Sequence, residues 1–213
     1  MLLEGKVAIV TGASRGIGKA IAQQFIAQGA KVAFTYRSSA EAAAALEQEL
    51  SAGGGTVKGF QSDAASMTDA ERLVGEVVEA FGTVDIVINN AGITDDTLLM
   101  RMTEEQWDRV ISVNLKSCFN LTKAVMRTML KARSGSIVNI SSVVGVQGNA
   151  GQANYAASKA GAISLTKTLG QAWAPEGVRV NGLAPGLVET KLTKVTTQSP
   201  ERLAGALAAI PQR

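Results

Sequence analysis

Tyr155 and Lys159 stand four positions apart and are the residue pair in this sequence best suited to proton transfer. Four positions is about one helical turn, so both side chains would lie on the same face of a helix. An ammonium beside a phenol favours the phenolate, so the pair predicts a tyrosine pKa below its ordinary value of about 10. Such a phenol can donate a proton to a carbonyl oxygen in a reduction and accept one in the reverse reaction. The alternative is an amphipathic surface pair.

The sequence contains no histidine, and this excludes Ser-His-Asp and Cys-His catalytic arrangements and imidazole ligands to a metal. Its single cysteine, Cys118, excludes an intrachain disulfide and a cysteine-based zinc site. An enzyme built from this chain must therefore move protons with Tyr, Lys, Asp or Glu, and we expect no metal.

A glycine-rich segment, Thr11-Gly12-Ala13-Ser14-Arg15-Gly16-Ile17-Gly18, lies between an apolar run and an amphipathic stretch. Glycines allow a tight turn, and the N-terminus of a following helix presents unpaired N–H groups and a positive dipole to a pyrophosphate. The segment therefore predicts a dinucleotide site that includes Gly12, Ser14, Arg15, Gly16, Ile17 and Gly18. Three turn glycines without a ligand are the alternative.

The residue that distinguishes NAD from NADP is expected at the end of the second strand, about 20 residues after the turn. An NAD site carries an acid there for the ribose 2′-hydroxyl, but this chain reads Thr35-Tyr36-Arg37-Ser38-Ser39 and has no acid before Glu41. Arg37 is suited to a 2′-phosphate, and Arg15 would flank it. The sequence therefore predicts NADP(H) as the cofactor, with two solvated surface arginines as the alternative.

Apolar, β-rich runs alternate with stretches of helical periodicity along the chain. Strands are predicted at 7–10, 32–34, 57–60, 84–88, 137–140 and 178–183, and the last two helices at 104–130 and 153–174. Strands separated by helices require crossover connections. We therefore expect an α/β fold: a single-domain, Rossmann-like, doubly wound parallel sheet over residues 1–213.

Several motifs occur in a fixed order: Thr11-Gly12-x3-Gly16-x-Gly18, Asn89-Asn90-Ala91-Gly92, Ser142, Tyr155-x3-Lys159 and Pro185-Gly186. With them the chain resembles the short-chain dehydrogenases/reductases over essentially its whole length. The stretches 93–102 and 142–161 resemble more closely the 3-oxoacyl-[acyl-carrier-protein] reductases of bacterial type II fatty-acid synthesis. The resemblance implies NADPH-dependent reduction of a 3-oxoacyl thioester on acyl carrier protein. The alternatives are a reductase of another carbonyl, such as acetoacetyl-CoA, a ketose or a xenobiotic ketone, and a catalytically impaired nucleotide-binding subunit.

The resemblance also implies roles for individual residues. Tyr155 would donate the proton and Lys159 would hold the nicotinamide ribose. Ser142 would bond the substrate carbonyl, and Asn114 would hold a water in a proton relay with the lysine. Further cofactor contacts are implied for Asp63 near the adenine, for Asn90, Ala91 and Gly92 at the adenine ribose, and for Pro185, Gly186, Val188 and Thr190 at the nicotinamide end.

Charge and hydropathy limit the partners. Lys and Arg number 21 against 18 Asp and Glu, a net charge of +3, and this mild excess suits an anionic ligand better than nucleic acid. No apolar run approaches the ~20 residues of a membrane span, and the first residues lack the order of a signal peptide. We therefore expect a cytoplasmic protein that binds no nucleic acid and no membrane.

Two expectations concern surfaces. We expect a homo-oligomer, a dimer or a tetramer, through the helices at 104–130 and 153–174, with close approach at Ala156, Ala160 and Gly161. Arg133, placed by sequence near the active-site edge, would meet an acidic carrier protein, or else be a solvated helix end. The family usually continues with another helix and a seventh strand, so the chain would be closed differently or be a fragment of a longer parent.

Overall fold

The computed structural model describes residues 1–191, 193–208 and 210, and a parallel sheet runs through the centre of the protein. Its strand order is β3-β2-β1-β4-β5-β6. The strands are Val7–Val10 (β1), Lys31–Tyr36 (β2), Val57–Gln61 (β3), Ile86–Asn89 (β4), Gly135–Ile140 (β5) and Val178–Leu183 (β6). The order reverses between β1 and β4, and in an open α/β sheet the ligand crevice lies at that point, beyond the carboxyl ends of the strands.

Helices lie between successive strands and after β6. They are Gly16–Ala27 (α1), Ala40–Ala52 (α2), Met67–Phe81 (α3), Glu104–Ile111 (α4), Ser117–Ala132 (α5), Val144–Gln147 (α6), Ala153–Trp173 (α7), Lys194–Thr197 (α8) and Pro200–Ala208 (α9). Short 3₁₀ turns span Leu99–Arg101 and Ala174–Glu176. The predicted doubly wound parallel sheet is confirmed.

The core has a layer on each face of the sheet. On one face, Leu46 of α2 and Ala22 of α1 are buried against Phe34 of β2. On the other, Leu73 of α3 and Val125 of α5 belong to a buried cluster that includes strands β1, β4 and β5. Both faces of the central strands are therefore apolar, as parallel strands require.

The predicted helix at 104–130 has about the expected extent, but it is not a continuous α-helix. α4 ends at Ile111, the segment Ser112–Lys116 is a π-helix, and α5 follows at once. A capping box opens α4, because Gln106 N donates to Thr103 Oγ1 and Thr103 N to Gln106 Oε1. A π turn carries an extra residue and re-aims the side chains within it, and the fully buried residue here is Asn114.

Among the described residues, α8 and α9 follow β6 and no further strand does. Residues 211–213 lie outside the described part of the chain. Within residues 1–191, 193–208 and 210, no helix combines the length and the apolar character needed to cross a bilayer.

Candidate active site

The glycine-rich turn joins β1 to α1 at the carboxyl edge of the sheet. Gly12 and Gly16 adopt left-handed φ angles of +65° and +58°, which a side chain would strain. Gly12 N donates to Thr35 Oγ1 (3.1 Å) and Ala13 N to the Thr35 carbonyl (3.2 Å), so the turn is tied to the end of β2. A Cβ at Gly18 would lie 2.6 Å from Asn90 Nδ2, so glycine is needed there for packing.

The start of α1 fits an anionic ligand. Arg15 precedes the helix in an extended conformation, and no side chain caps the first turn. The N–H groups of that turn therefore lack side-chain acceptors, and a pyrophosphate can accept them. A Cβ at Gly16 would lie 3.8 Å from Thr190 Cγ2, so the segment after β6 passes beside the same turn. The residues present fit the phosphate portion of a dinucleotide.

The loop after β4 completes this crevice. Thr11 Oγ1 accepts hydrogen bonds from the N–H groups of Asn90 and Ala91, both at 2.9 Å, and Asn90 Nδ2 donates to the Thr11 carbonyl at 2.8 Å. A Cβ at Gly12 would lie only 3.1 Å from Ala91 Cα. The two loops predicted to hold the cofactor are thus bonded to each other at the switch point between β1 and β4.

Arg37 lies at the exposed rim of the crevice, and its partner is another predicted cofactor residue. The Arg37 Nε lies 3.8 Å from Asp63 Oδ2, with 70% and 44% of the two side chains exposed. Asp63 Oδ1 accepts from Ala65 N at 2.9 Å, which holds the carboxylate in place. Sequence reasoning named both residues but did not predict that they pair.

Tyr155 and Lys159 lie on α7, on one face as predicted. Lys159 Nζ is 5.7 Å from the centroid of the Tyr155 ring. The lysine is only 4% exposed, and its ammonium donates to the Ile140 carbonyl at 2.8 Å. An ammonium has three donors, so two remain for other groups in the crevice.

The expectation of a lowered tyrosine pKa is wrong here. Burial raises the pKa of Tyr155, an interaction with the Ser142 hydroxyl opposes that rise, and the Asp96 carboxylate adds to it. Burial also lowers the pKa of Lys159. The desolvation of the phenol outweighs the electrostatic effect on which the sequence prediction rested.

Asn114 joins the π segment to the neighbouring loop and to α7. Its Oδ1 accepts from Ile93 N (2.8 Å), and its Nδ2 donates to the Ile93 carbonyl (2.9 Å) and to Ser158 Oγ (3.2 Å). A Cβ at Gly92 would lie 3.4 Å from Asn114 Oδ1 and 3.6 Å from Lys159 Nζ. Asn114, Gly92 and Lys159 therefore meet at one place, and the missing side chain of Gly92 leaves room beside the ammonium.

Both N–H groups of the Asn114 side chain are donated, and its Oδ1 accepts one hydrogen bond. Its backbone carbonyl accepts from Cys118 Sγ at 3.4 Å. Burial raises the pKa of the Cys118 thiol, and Lys159 opposes the rise.

Ser142 follows β5 and is half-buried beside Tyr155. Its Oγ accepts from Val144 N at 3.2 Å. The next residue, Val143, donates its N–H to the Pro185 carbonyl at 3.1 Å, so the Pro185-Gly186 turn lies next to the serine. Beyond that turn, the Val188 carbonyl and Thr190 N both bond to Thr193 Oγ1, at 2.7 and 2.9 Å.

Arg133 does not lie at the active-site edge, contrary to the expectation. It follows α5 and precedes β5, so it is at the amino ends of the strands, opposite the crevice. Its Nη1 is 3.0 Å from Glu176 Oε2, and its Nη2 donates to the Pro175 carbonyl at 3.1 Å. A contact of Arg133 with a carrier at the mouth of this protomer's crevice is therefore excluded.

Two buried serines lie beside the catalytic candidates, and sequence reasoning did not predict the hydrogen bonds that they make. Ser158 Oγ donates to the Tyr155 carbonyl (2.7 Å), and Ser141 Oγ donates to the Lys159 carbonyl (2.8 Å). A serine on a helix or at a strand end is too common for its type and spacing to reveal such a contact.

The comparison with known families decides which one the chain belongs to. A family model described as short chain dehydrogenase matches residues 6–201. The chain is a short-chain dehydrogenase. The resemblance inferred from the ordered motifs is thereby confirmed.

Individual relatives of this dehydrogenase cover most of its length. The 3-oxoacyl-[acyl-carrier-protein] reductase FabG of Escherichia coli (strain K12) is 49% identical over 211 residues, which are 99% of this chain and 84% of that protein. The 3-oxoacyl-[acyl-carrier-protein] reductase of Synechocystis sp. (strain ATCC 27184 / PCC 6803 / Kazusa) is 47% identical over 198 residues, covering 93% and 80%. The crystal structure of gox2181 matches with a TM-score of 0.93 at 34% identity, covering 98% of this chain and 82% of the other.

Proposed function

We propose that this dehydrogenase uses NADPH to reduce the 3-oxo group of an acyl thioester carried on acyl carrier protein. The observation that carries the proposal is the position of Tyr155 and Lys159 on one face of α7, beside a crevice whose turn and loops fit a dinucleotide. The names of the relatives, 3-oxoacyl-[acyl-carrier-protein] reductases at 47–49% identity, support the substrate class. In this proposal residues 1–213 act as one NADP-binding reductase domain.

Three side chains of the site, and a bound nicotinamide, would each have a separate role in the reaction. A bound nicotinamide would supply the hydride. Tyr155 would donate a proton to the substrate oxygen, and the raised pKa of its hydroxyl keeps it in the protonated form that a donor needs. The Ser142 hydroxyl would hold the same oxygen. Lys159 would use its remaining donors on the ribose hydroxyls, while its bond to Ile140 fixes the ammonium.

Arg37 supports the choice of NADPH. It is the cation at the end of β2, where an NAD site would carry an acid, and a guanidinium matches the geometry of a phosphate. Arg15 is exposed in the glycine turn and would flank the same group.

The test is NADPH oxidation by the purified chain with acetoacetyl thioesters, linked either to acyl carrier protein or to coenzyme A. The proposal expects turnover with both and a higher kcat/KM for the carrier-linked form. Tyr155→Phe serves as the inactive control. Oxidation only with ketoses or simple ketones would assign the chain to another carbonyl, and no oxidation with any carbonyl would overturn the reductase function.

A further inference from the structure

Lys159 is attached at both ends to consecutive residues of β5 and the turn after it. Its ammonium donates to the Ile140 carbonyl at 2.8 Å. Its own backbone carbonyl accepts a hydrogen bond from Ser141 Oγ, also at 2.8 Å. Ser141 and Lys159 are each 4% exposed, so neither bond competes with bulk water. The side chain and the backbone of Lys159 are therefore each hydrogen-bonded to one of two adjacent residues, Ile140 and Ser141.

The backbone around Lys159 is also close to the turn that follows Ser141. A Cβ at Gly145 would lie 2.7 Å from the Lys159 carbonyl carbon and 2.9 Å from Ala160 N. Ser141 itself is fixed, since its N–H donates to the Leu183 carbonyl at 2.7 Å. The segment from Ile140 to Gly145 thus holds α7 at the turn that carries the lysine.

We propose that Ser141 is a positioning residue: its hydroxyl sets the distance of α7 from the end of β5 and so places the Lys159 ammonium relative to Tyr155 and the crevice. This inference rests on the proposed function of Lys159. It separates the roles of two adjacent serines. Ser142 is half-buried next to the Tyr155 hydroxyl, whereas Ser141 is buried and its hydroxyl bonds to the helix backbone.

Two hydrogen bonds constrain the position of Lys159, one at its ammonium and one at its backbone carbonyl. The Lys159 side chain is long, so the bond from its ammonium to Ile140 constrains its backbone only weakly. The bond from Ser141 acts on that backbone directly, together with the packing against Gly145. A displacement of about 1 Å in a catalytic group lowers rates by about a hundredfold, so a small shift of α7 is sufficient for a large kinetic effect.

The experiment compares Ser141→Ala with Thr166→Val. Thr166 is a matched control because its hydroxyl is also buried and also joins α7 to β5, accepting from Asn139 Nδ2 at 2.9 Å and donating to the Ala162 carbonyl at 2.7 Å. It lies about two turns beyond Lys159. Both variants should lower the thermal stability. Only Ser141→Ala should also lower kcat, by about tenfold to a hundredfold. Equal kcat in the two variants would overturn the proposal.

A second measurement does not depend on turnover. The chain has two tyrosines, Tyr36 and Tyr155, so isotope-labelled tyrosine gives two titrating NMR signals, which Tyr155→Phe assigns. Burial, the Ser142 hydroxyl and Asp96 in the loop after β4 act on the pKa of the phenol, and the Lys159 ammonium lies 5.7 Å from the centroid of its ring. Ser141→Ala should shift the Tyr155 titration and Thr166→Val should not. An unshifted Tyr155 titration in Ser141→Ala would contradict the positioning role, whether or not the native chain reduces a thioester. A native chain that reduces no thioester would overturn the proposed function and leave this titration test intact.

Ser141→Cys covers the case in which the alanine variant does not fold. A thiol of similar size keeps a weak donor, so its kcat and Tyr155 titration should fall between those of the native and alanine chains. A cysteine variant with native kcat and a native titration would show that the bond to the Lys159 carbonyl has no role in positioning.

Discussion

Arg37 and Asp63 face each other beyond the ends of β2 and β3, with Nε 3.8 Å from Oδ2. The cation expected to bind a 2′-phosphate is therefore already beside a carboxylate. Both side chains are well exposed, so their attraction is weak, about 0–1 kcal/mol, and a phosphate can compete for the guanidinium. If NADPH is the cofactor, as proposed, its binding would depend on both residues, because Arg37 would attract the 2′-phosphate and Asp63 would repel it.

The native chain should prefer NADPH to NADH by about tenfold to a hundredfold, because a charged bidentate contact contributes a few kcal/mol. Arg37→Asp should reverse the preference, since the new carboxylate would accept the ribose hydroxyl of NADH. The measurement is the ratio of kcat/KM for the two cofactors. Equal use of both by the native chain would refute the assignment of Arg37.

Asp63→Asn should raise the NADPH to NADH ratio further, by a few-fold, because it removes a negative charge from the vicinity of the phosphate. The affinity for both cofactors falls if Asp63 also contacts the adenine, so the ratio of the two dissociation constants is the informative quantity. Glu41→Gln is the control, since it removes the same charge at the start of α2. A ratio that changes equally in both variants reflects net charge alone.

Tyr155→Phe should abolish reduction and leave NADPH binding nearly unchanged, because the hydroxyl is needed only for proton transfer. Lys159→Ala should damage both turnover and binding. Ser142→Ala should be more severe than Ser141→Ala, since Ser142 would touch the substrate and Ser141 acts through the helix. Steady-state kinetics together with fluorescence titration of NADPH separate these effects, and a large residual rate in Tyr155→Phe would disprove its role as the acid.

Burial of Lys159 makes stability depend on pH. Its pKa is lowered in the folded protein, so below its ordinary value of about 10.5 the unfolded chain binds more protons than the folded one. Its contribution to the free energy of unfolding should therefore increase as the pH rises from the folded pKa towards about 10.5. Cys118 on α5 and Tyr155 on α7 face the ammonium, and burial raises the pKa of both groups.

Lys159→Met isolates this effect. Urea unfolding across pH should give a difference between native and variant chains that favours the native chain increasingly as the pH rises. Because Lys159 also acts on the pKa of Cys118, both chains carry Cys118→Ala in this comparison, which removes the thiol titration. Parallel stability curves would contradict the lowered pKa of Lys159.

The chain should self-associate through the exposed faces of α4, α5 and α7. Trp107 and Phe119 are 37% and 46% exposed there, and the Lys123 ammonium lies 5.6 Å from the Phe119 ring. Phe119→Glu should lower the mass found by sedimentation, whereas Leu2→Glu, at an 88% exposed position away from these helices, should not. A native chain that sediments as a monomer would exclude pairing through this surface.

Gly161, one of the residues expected in the contact between protomers, packs against the π segment of its own protomer. A Cβ at Gly161 would lie 2.7 Å from Leu115 Cδ2 of the same chain, so this glycine allows α7 to approach the π segment. Gly161 therefore serves packing within the protomer, and its role between protomers stays a prediction. Ala160 remains exposed.

Local sequence determined the strands, the glycine turn and the pairing of Tyr155 with Lys159, because each depends on residues close in sequence. Periodicity placed every strand to within a few residues, and four-residue spacing put both side chains on one helix face. The order of the motifs also carried enough information to identify the family.

Tertiary structure decided what those residues contact. The direction of the Tyr155 pKa depends on burial, which no spacing reveals, and the Arg37–Asp63 pair depends on how β2 and β3 lie side by side. The π winding around Asn114 and the bond from Ser141 to Lys159 arise where α5 and α7 pack against the sheet. These contacts join residues distant in sequence, and their energies depend on solvent exclusion and relative position, which only the folded chain determines.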